Sequence, residues 1–356
     1  MIQKRFEYAT LSKRTIVISD IHGHVSLLKQ LLKKVQYSKE DTLVIVGDFL
    51  EKGPEVLETV HFLMDLARYP NVHILNGNCE WALCEWIYRT PYLKTYLKRA
   101  RYSLVREILD CHEADEQLLS DTQLQTMCQW LLKNELTFIQ SLPVALETKD
   151  YLFVHAGVEY RQDYQESSLS SLIEQQFFMR QGHLLDRYVI VGHLPTSNYR
   201  RHHIDNRILI DDNKKIISID GGVGVKEVCQ LNALIIEDDH FKQVFVSPFD
   251  EVMIKKEYCP EILPSHKIAW PNFEVTIIKQ EAEFSLCKNK FDEEMWIKNE
   301  YLYSENDKAY CFDDYEDTHL CVKKGDLVFL IKICGQYAYI MKNHQVGWIK
   351  KDCLYG

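Results

Sequence analysis

Three short islands, each directly behind an apolar β-branched run, constrain the fold of this chain more than any other feature. Thr15-Ile-Val-Ile-Ser19 leads to Asp20-Ile21-His22-Gly23, Thr42-Leu-Val-Ile-Val46 to Gly47-Asp48, and Asn71-Val-His-Ile-Leu75 to Gly77-Asn78-Cys79-Glu80. Runs of this length and composition suit strands covered on both faces. Open α/β sheets build their sites outside the carboxyl ends of such strands. The side chains delivered there are carboxylates, an imidazole and an amide. That donor set suits divalent Mn, Fe or Zn and makes no demand for thiolates.

Between the islands the apolar period lengthens. Leu27, Leu28, Leu31 and Leu32 share one helical stripe over 25–34. A second amphipathic segment runs from Glu55 to about Arg68, with Pro54 where a first-turn proline is tolerated. Residues 81 to about 142 are rich in Leu, Tyr, Lys and Glu and poor in strand signals, so a helical insertion acting as structural cover is expected there. Strand signals resume at Asp150–His155, Tyr188–His193, Ile208–Ile210, Lys215–Asp220 and Asn232–Ile236. A first domain is therefore expected over 1–249. Pro260, Pro264 and Pro271 then punctuate a stretch expected to be a linker over 250–272. Short alternating runs after Gly325, Gln336 and Val346 predict a small all-β barrel within 273–356.

Composition narrows the class of protein. The 356 residues carry a formal net charge of -10 and show no long basic run, which argues against binding duplex nucleic acid through its phosphates. The eleven cysteines are scattered, without a Cys-x-x-Cys pair, so most are expected to be reduced and semi-buried in a cytoplasmic protein. No run of eighteen apolar residues occurs, and the N-terminus has no signal-peptide character; no membrane partner is expected.

Asp20 and His22 alternate with Ile21, so extended backbone would turn both to one side. Asp48 and Asn78 follow the next two strands, and His155 and His193 follow two more. Together the six could complete two adjacent metal sites. Such sites clamp phosphoryl oxygens and acidify a bridging water that attacks in line. A bridging carboxylate is needed, and Asp48 is the natural choice because its strand should lie beside that of Asp20. Each piece alone is weak, since Asp-x-His is common by chance and Gly-His often marks a turn. The ordered set behind successive strands is hard to obtain as core chemistry.

At this point the residues resemble the calcineurin-like metallophosphoesterases, and more narrowly the phosphoprotein phosphatase branch with its bacterial serine/threonine phosphatases and diadenosine tetraphosphatases. The resemblance rests on Asp20-x-His22, Gly47-Asp48, Gly77-Asn78-Cys79-Glu80, Val154-His-Ala-Gly157, Val191-Gly-His-Leu-Pro-Thr196 and Ser218-Ile-Asp-Gly-Gly222, across roughly residues 14–237. It implies a four-layer α/β/β/α sandwich and two divalent ions, with Mn favoured over Fe or Zn. By motif match, Asp20, His22 and Asp48 would bind the first ion, and Asp48, Asn78, His155 and His193 the second. Lys52 stands where the branch has a phosphate-gripping arginine, which keeps the charge and loses the bidentate fork. Arg180 fits the place of a second phosphate-binding arginine, and Asn78 would also approach the phosphate. Cys79 replaces the histidine that, paired with the acid matched by Glu51, is thought to protonate the leaving oxygen. His24 is either a substitute acid or, more plainly, a residue at a helix start. Asp220-Gly-Gly222 reads as a tight turn beside the site or as backbone approaching the substrate.

The C-terminal barrel resembles bacterial SH3-like domains at Val322-Lys-Lys-Gly-Asp-Leu-Val328 and Gly347-Trp-Ile349. Tyr337, Tyr339 and Trp348 would form either an aromatic face for a peptide or protein ligand, or the core of the barrel. The lead expectation is a two-metal hydrolase acting through a metal-bridging hydroxide on phosphoprotein substrates. The alternatives are a hydrolase of dinucleotide polyphosphates or another small phosphoester with a good leaving group, and a catalytically weak phosphate-binding scaffold.

Overall fold

The island-bearing strands assemble side by side because their apolar faces need cover on both sides. In the computed structural model, which describes residues 2–89, 91–238, 240–261 and 265–355, the chain divides into two compact units. The first comprises Met1–Pro195, Ile208–Val225 and Gln230–Val246; the second comprises Thr196–Arg207, Lys226–Cys229 and Ser247–Gly356.

The strands of the first unit are β1 (Phe6–Tyr8), β2 (Arg14–Ile18), β3 (Thr42–Val46), β4 (Val72–Leu75), β5 (Ala145–Glu147), β6 (Tyr151–Val154), β7 (Tyr188–Val191), β8 (Leu209–Asp211), β9 (Ile216–Ser218), β10 (Leu231–Glu237) and β11 (His240–Val246). They form a five-stranded sheet, β11-β10-β2-β3-β4, and a six-stranded sheet, β1-β5-β6-β7-β9-β8. In the first sheet β2, β3 and β4 run parallel, with Ile18 opposite Ile45 and Val46 opposite Leu75. In the second, β6, β7 and β9 run parallel. The two sheets pack face to face through one apolar cluster, to which Val17, Val44 and Leu75 come from one sheet and Phe153, Ile190 and Ile217 from the other. Parallel strands buried on both faces account for the near-continuous Val and Ile runs.

Helices complete the α/β/β/α sandwich. α1 (Val25–Lys34) buries Val25, Leu27, Leu28, Leu31 and Leu32, the stripe read from the sequence. α2 (Val56–Leu66) follows the second island. α3 (Asn78–Tyr88) grows directly out of the third, and α4 (Leu93–Leu97), α5 (Leu104–Cys111), α6 (Asp121–Leu131) and α7 (Lys133–Ser141) fill the expected helical stretch. α8 (Leu169–Glu174) and α9 (Phe178–Gln181) lie against the end of β6. There Ala156 N–H donates to Leu172 O, and Phe178 packs so close to Gly157 that a β-carbon at Gly157 would meet its ring at 2.6 Å.

The second unit departs from the single barrel expected over 273–356. It is all-β, but among the described residues it holds two antiparallel sheets and a two-stranded ribbon. One sheet joins Asp250–Met253 to Leu327–Cys334, Tyr337–Lys342 and Gln345–Lys350; the other joins Glu294–Lys298, Phe284–Lys288, Glu274–Gln280, Lys308–Cys311 and Leu302–Glu305. The stretch expected to be a linker thus contains two strands, Asp250–Met253 and Lys267–Ile268, because distant partners at 327–330 and 315–316 supply their backbone hydrogen bonds. Pro264 lies outside the described residues. The first domain's expected boundary also shifts, since 196–207 and 226–229 cluster with the second unit.

Cysteine usage departs from expectation at one pair. Cys259 and Cys321 form a disulfide, with Cα atoms 4.2 Å apart, while nine others are free. The reciprocal hydrogen bonds between Tyr258 and Val322 bring the two neighbours together. Tyr339 and Trp348 are fully buried, stacked 4.7 Å apart, which settles them as core; Tyr337 is half-buried. No helix among the described residues is long and apolar enough to cross a membrane.

Candidate metal centre

Chain reversal at the strand ends sets the geometry. Asp20, His22, Asp48, Glu51, Lys52 and His193 all adopt positive φ, between 45° and 68°. Non-glycine residues rarely occupy that region, and clusters of them mark sites where surrounding structure holds the backbone against strain. Asp20 N–H donates to Gly47 O (3.1 Å) and His22 N–H to Asp48 O (3.0 Å), so the first two islands are stitched into one loop pair.

Asp48 sits at the centre. Its Oδ1 lies 3.4 Å from His155 Nε2 and accepts the Cys79 N–H at 2.9 Å; its Oδ2 lies 3.7 Å from His22 Nε2 and accepts the Cys79 thiol at 3.1 Å. The Cys79 N–H belongs to the first turn of α3, where the helix dipole favours an anion. Asn78 Oδ1 stands 3.2 Å from His155 Nε2 and 2.9 Å from His193 Nδ1. Asp20 Oδ2 accepts the His193 N–H at 3.0 Å, and its buried Oδ1 has no hydrogen-bond partner.

The imidazoles are turned so that lone pairs face inward. His22 Nδ1 meets Leu50 O at 3.0 Å and His155 Nδ1 meets Val46 O at 2.8 Å. A carbonyl can only accept, so those nitrogens carry the protons and each Nε2 presents a lone pair. His155 Nε2 then confronts oxygens of Asp48 and Asn78, and His22 Nε2 those of Asp20 and Asp48. Lone pairs pointing at one another repel, and a cation among them relieves that repulsion; at His22 Nε2 the Lys52 ammonium, 3.2 Å away, contributes part of it. Asp20, Asp48 and His155 offer one set of close donor atoms, and His22, Asp48 and Cys79 another, with Asp48 common to both. These groups divide the donors differently from the motif match, which sets Asp20 beside His22, but both share Asp48, so the donor set fits two cations sharing one carboxylate.

Charge states agree with that fit. Burial and the Lys52 charge push His22 down to about 3, and burial with His155 pushes His193 down to about 4, so both rings are neutral donors at neutral pH. Burial would raise Asp48, but His155, His22 and Lys52 together hold it below the usual carboxylate range. Asp20 is raised, by burial first and then by the Asp48 charge. Lys52 is exposed as a residue, yet its Nζ reaches 3.2 Å from His22 Nε2. Burial of that ammonium opposes its charge, and Cys79, Asp48 and Asp20 outweigh it, so Lys52 is held more firmly protonated.

The remaining predicted residues divide. Glu51 is buried, accepts the Leu104 N–H with Oε1 (3.3 Å), leaves Oε2 without a partner, and is pushed up to about 8 by burial. Cys79 is raised well above an ordinary thiol, by burial and then by Asp48. His24 is half-buried at the start of α1 and bonds Ile21 O. Arg180 is not brought in: it is exposed, and its guanidinium lies over the Phe177 ring at 4.4 Å. Its local match gave no information about where a four-residue helix would point it.

Glu80 has a role that sequence reasoning missed, and Asp220 makes the tight turn that was one of its two expected readings. Glu80 accepts backbone N–H groups of Asp48 (2.9 Å), Phe49 (3.0 Å), Leu50 (3.1 Å) and Gly77 (2.7 Å), clamping the second island to the third. Its place at the third position of α3, behind a glycine, was the available signal. Asp220 caps its own turn, accepting the Gly222 N–H at 2.7 Å. Its buried Oδ2 lacks a partner, and burial and the Asp20 charge raise it well above an ordinary carboxyl.

Strand-end carboxylates, inward imidazoles and a shared aspartate define a metal-dependent phosphoester hydrolase. Residues 13–219 match the calcineurin-like phosphoesterase family, and the chain belongs to it. Members of that family use two divalent ions. The chain is 25% identical over 264 residues to a symmetrical bis(5'-nucleosyl)-tetraphosphatase of Wigglesworthia glossinidia brevipalpis, covering 74% of this chain and 80% of that protein. It is 28% identical over 145 residues to a protein of the same description from Pseudomonas putida, covering 40% of this chain and only 42% of that relative. Among solved structures, a cold-active protein-tyrosine phosphatase of a Shewanella species aligns with a TM-score of 0.44 and 16% identity, over 69% of this chain and 83% of the other.

Proposed function

We propose that this chain hydrolyses phosphoanhydrides of the nucleoside polyphosphate kind, dinucleotide polyphosphates among them, in preference to phosphoserine or phosphothreonine. The observation that carries this reading is Cys79. It occupies the place from which a leaving oxygen would be protonated, its thiol is already donated to Asp48 at 3.1 Å, and burial sets it against ionising. A missing general acid removes a contribution of about 10²–10⁴-fold, and the loss falls hardest on a poor leaving group such as an alkoxide. A phosphate departs well unprotonated. The description shared by the two relatives supports the same substrate class.

In this reading Asp20, His22 and Asp48 hold one ion and Asp48, Asn78, His155 and His193 the other, with manganese the first ion to try. When bound, the ions supply Lewis acidity toward the phosphoryl oxygens and lower the pKa of a water nucleophile. Lys52 Nζ neutralises substrate phosphate as a point charge, with less directional grip than a guanidinium. Asp48, held through Cys79 N–H and the Glu80 clamp, keeps the spacing of the two sites. Water attacks phosphorus in line, the bond to the leaving phosphate breaks, and the nucleophile's proton passes to solvent.

The test is a rate panel with added Mn on diadenosine tetraphosphate, an aryl phosphodiester and a phosphoserine peptide. The tetraphosphate should be turned over fastest. Equal or faster hydrolysis of the phosphoserine peptide would restore the phosphoprotein reading, and no turnover of any of the three would favour a phosphate-binding scaffold.

A further inference from the structure

We propose that the second unit carries a binding groove for a lysine- or arginine-bearing stretch of polypeptide. The groove, about 770 Å³, opens between the sheet containing Phe284 and the sheet containing Tyr337. Its wall is a contiguous set of half-buried rings. Phe284 meets Tyr337 edge-on at 4.9 Å, His319 lies 5.9 Å from Phe284 and 5.8 Å from Tyr337, and Tyr258 follows at 6.4 Å from His319. Tyr258 and His319 are fixed by a 3.0 Å hydrogen bond between the hydroxyl and Nδ1, and Trp296 stands on the same lining. The wall is therefore formed in advance, as ligand grooves usually are.

Charge selects the occupant. Glu261, Glu281, Glu283, Glu294 and Asp317 line the groove, and no lysine or arginine does among the described residues. Lys279 pairs with Glu281 and Lys298 with Glu283, each at 2.6 Å, so two lysines stand against five carboxylates. Lys298 also shows what these rings accept: its Nζ lies 5.2 Å from the Phe284 centroid and 5.9 Å from that of Tyr337. Aromatic faces attract ammonium and guanidinium groups, most strongly where water is partly excluded. The same carboxylates repel phosphorylated ligands and nucleic acid.

The volume is several times that of one side chain, which points to a run of residues. That run would be held by side chains and would not add a strand. The Glu294–Lys298 edge is already engaged: Trp296 N–H donates to Asp317 (3.3 Å), and the Tyr315 hydroxyl donates to Trp296 O (3.0 Å) and accepts from Lys298 N–H (2.9 Å).

The test is calorimetric titration of the full chain with three decapeptides of one common glycine-serine scaffold, bearing lysine, serine or glutamate at the same positions. The lysine peptide should bind, and binding should weaken as salt rises. Glu261→Lys with Glu294→Lys changes two exposed residues and should lower that affinity by about tenfold, with the melting temperature unchanged. The proposal is overturned by any of four results. These are equally tight binding of the serine or glutamate peptide, no binding of the lysine peptide at millimolar concentration, equal affinity in the charge-reversed variant, or self-association of the chain through this face with no peptide uptake.

Discussion

Asp48 shows how much a single residue decides here, because both of its oxygens have two claims on them. Cys79 competes for one of those oxygens, and replacing it tests the substrate argument directly. Cys79→His should raise turnover of a phosphoserine peptide by about tenfold or more while changing that of diadenosine tetraphosphate much less; parallel changes on both substrates would sink the leaving-group argument. Gly192 is the complementary case. A β-carbon there would stand 2.1 Å from Asp20 Oδ2 and 2.6 Å from Ser19 Oγ, so Gly192→Ala must displace the aspartate. Bound Mn, measured by elemental analysis after gel filtration, should fall, with a stability loss of about 1–3 kcal/mol from overpacking.

Glu80 and Glu107 act at the scale of elements, because each ties one segment to another. Glu80→Gln puts an amide N–H among four backbone donors that now point at a carboxylate. Leaving buried donors unpaired costs about 1–3 kcal/mol, so the melting temperature and Mn affinity should both drop. Glu107, on α5, accepts Val56 N–H and Leu57 N–H at 2.7 Å each and so caps the start of α2 from another part of the chain. Glu107→Ala should lower stability by about 1 kcal/mol, as loss of a helix cap does. A smaller loss than that of a surface control such as Glu40→Ala would reject the cap. The 81–142 stretch, legible in sequence only as helical cover, thus also anchors Glu51 through Leu104 and α2 through Glu107.

At the scale of the molecule, the second unit has its own buried charge. Lys267 Nζ donates to Ser197 O (2.6 Å) and Arg200 O (3.1 Å), and burial lowers it to about 8. Between that value and the ordinary lysine range, the unfolded chain keeps a proton that the folded chain has released. Stability attributable to Lys267 therefore rises with pH across that window and is flat below it. The stability difference between the parent and Lys267→Met, measured by denaturant titration at pH 7, 8.5 and 10, should shift in favour of the parent as pH rises; a constant difference would refute the assignment.

What the sequence by itself determined was whatever local pattern encodes. β-branched runs marked the central strands of both sheets, the leucine stripe marked α1, and the residues just past the strand ends named six candidate metal donors that the fold brings together, since a parallel sheet delivers consecutive strand ends to one edge. What only the tertiary structure decided depended on partners far away in the chain. Asp250–Met253 reads as linker until 327–330 pairs with it; Cys259 looks like a lone thiol until the Tyr258–Val322 bridge sets Cys321 beside it. Tyr339 and Trp348 carry no mark of core or surface until a second sheet covers them, and Arg180 none of its exposure. The inward lone pairs of His22 and His155 belong to the same class, because the carbonyls that orient the two rings come from the strand and loop next door. Periodicity is written in neighbours, whereas burial, pairing and protonation are set by whatever the fold brings near.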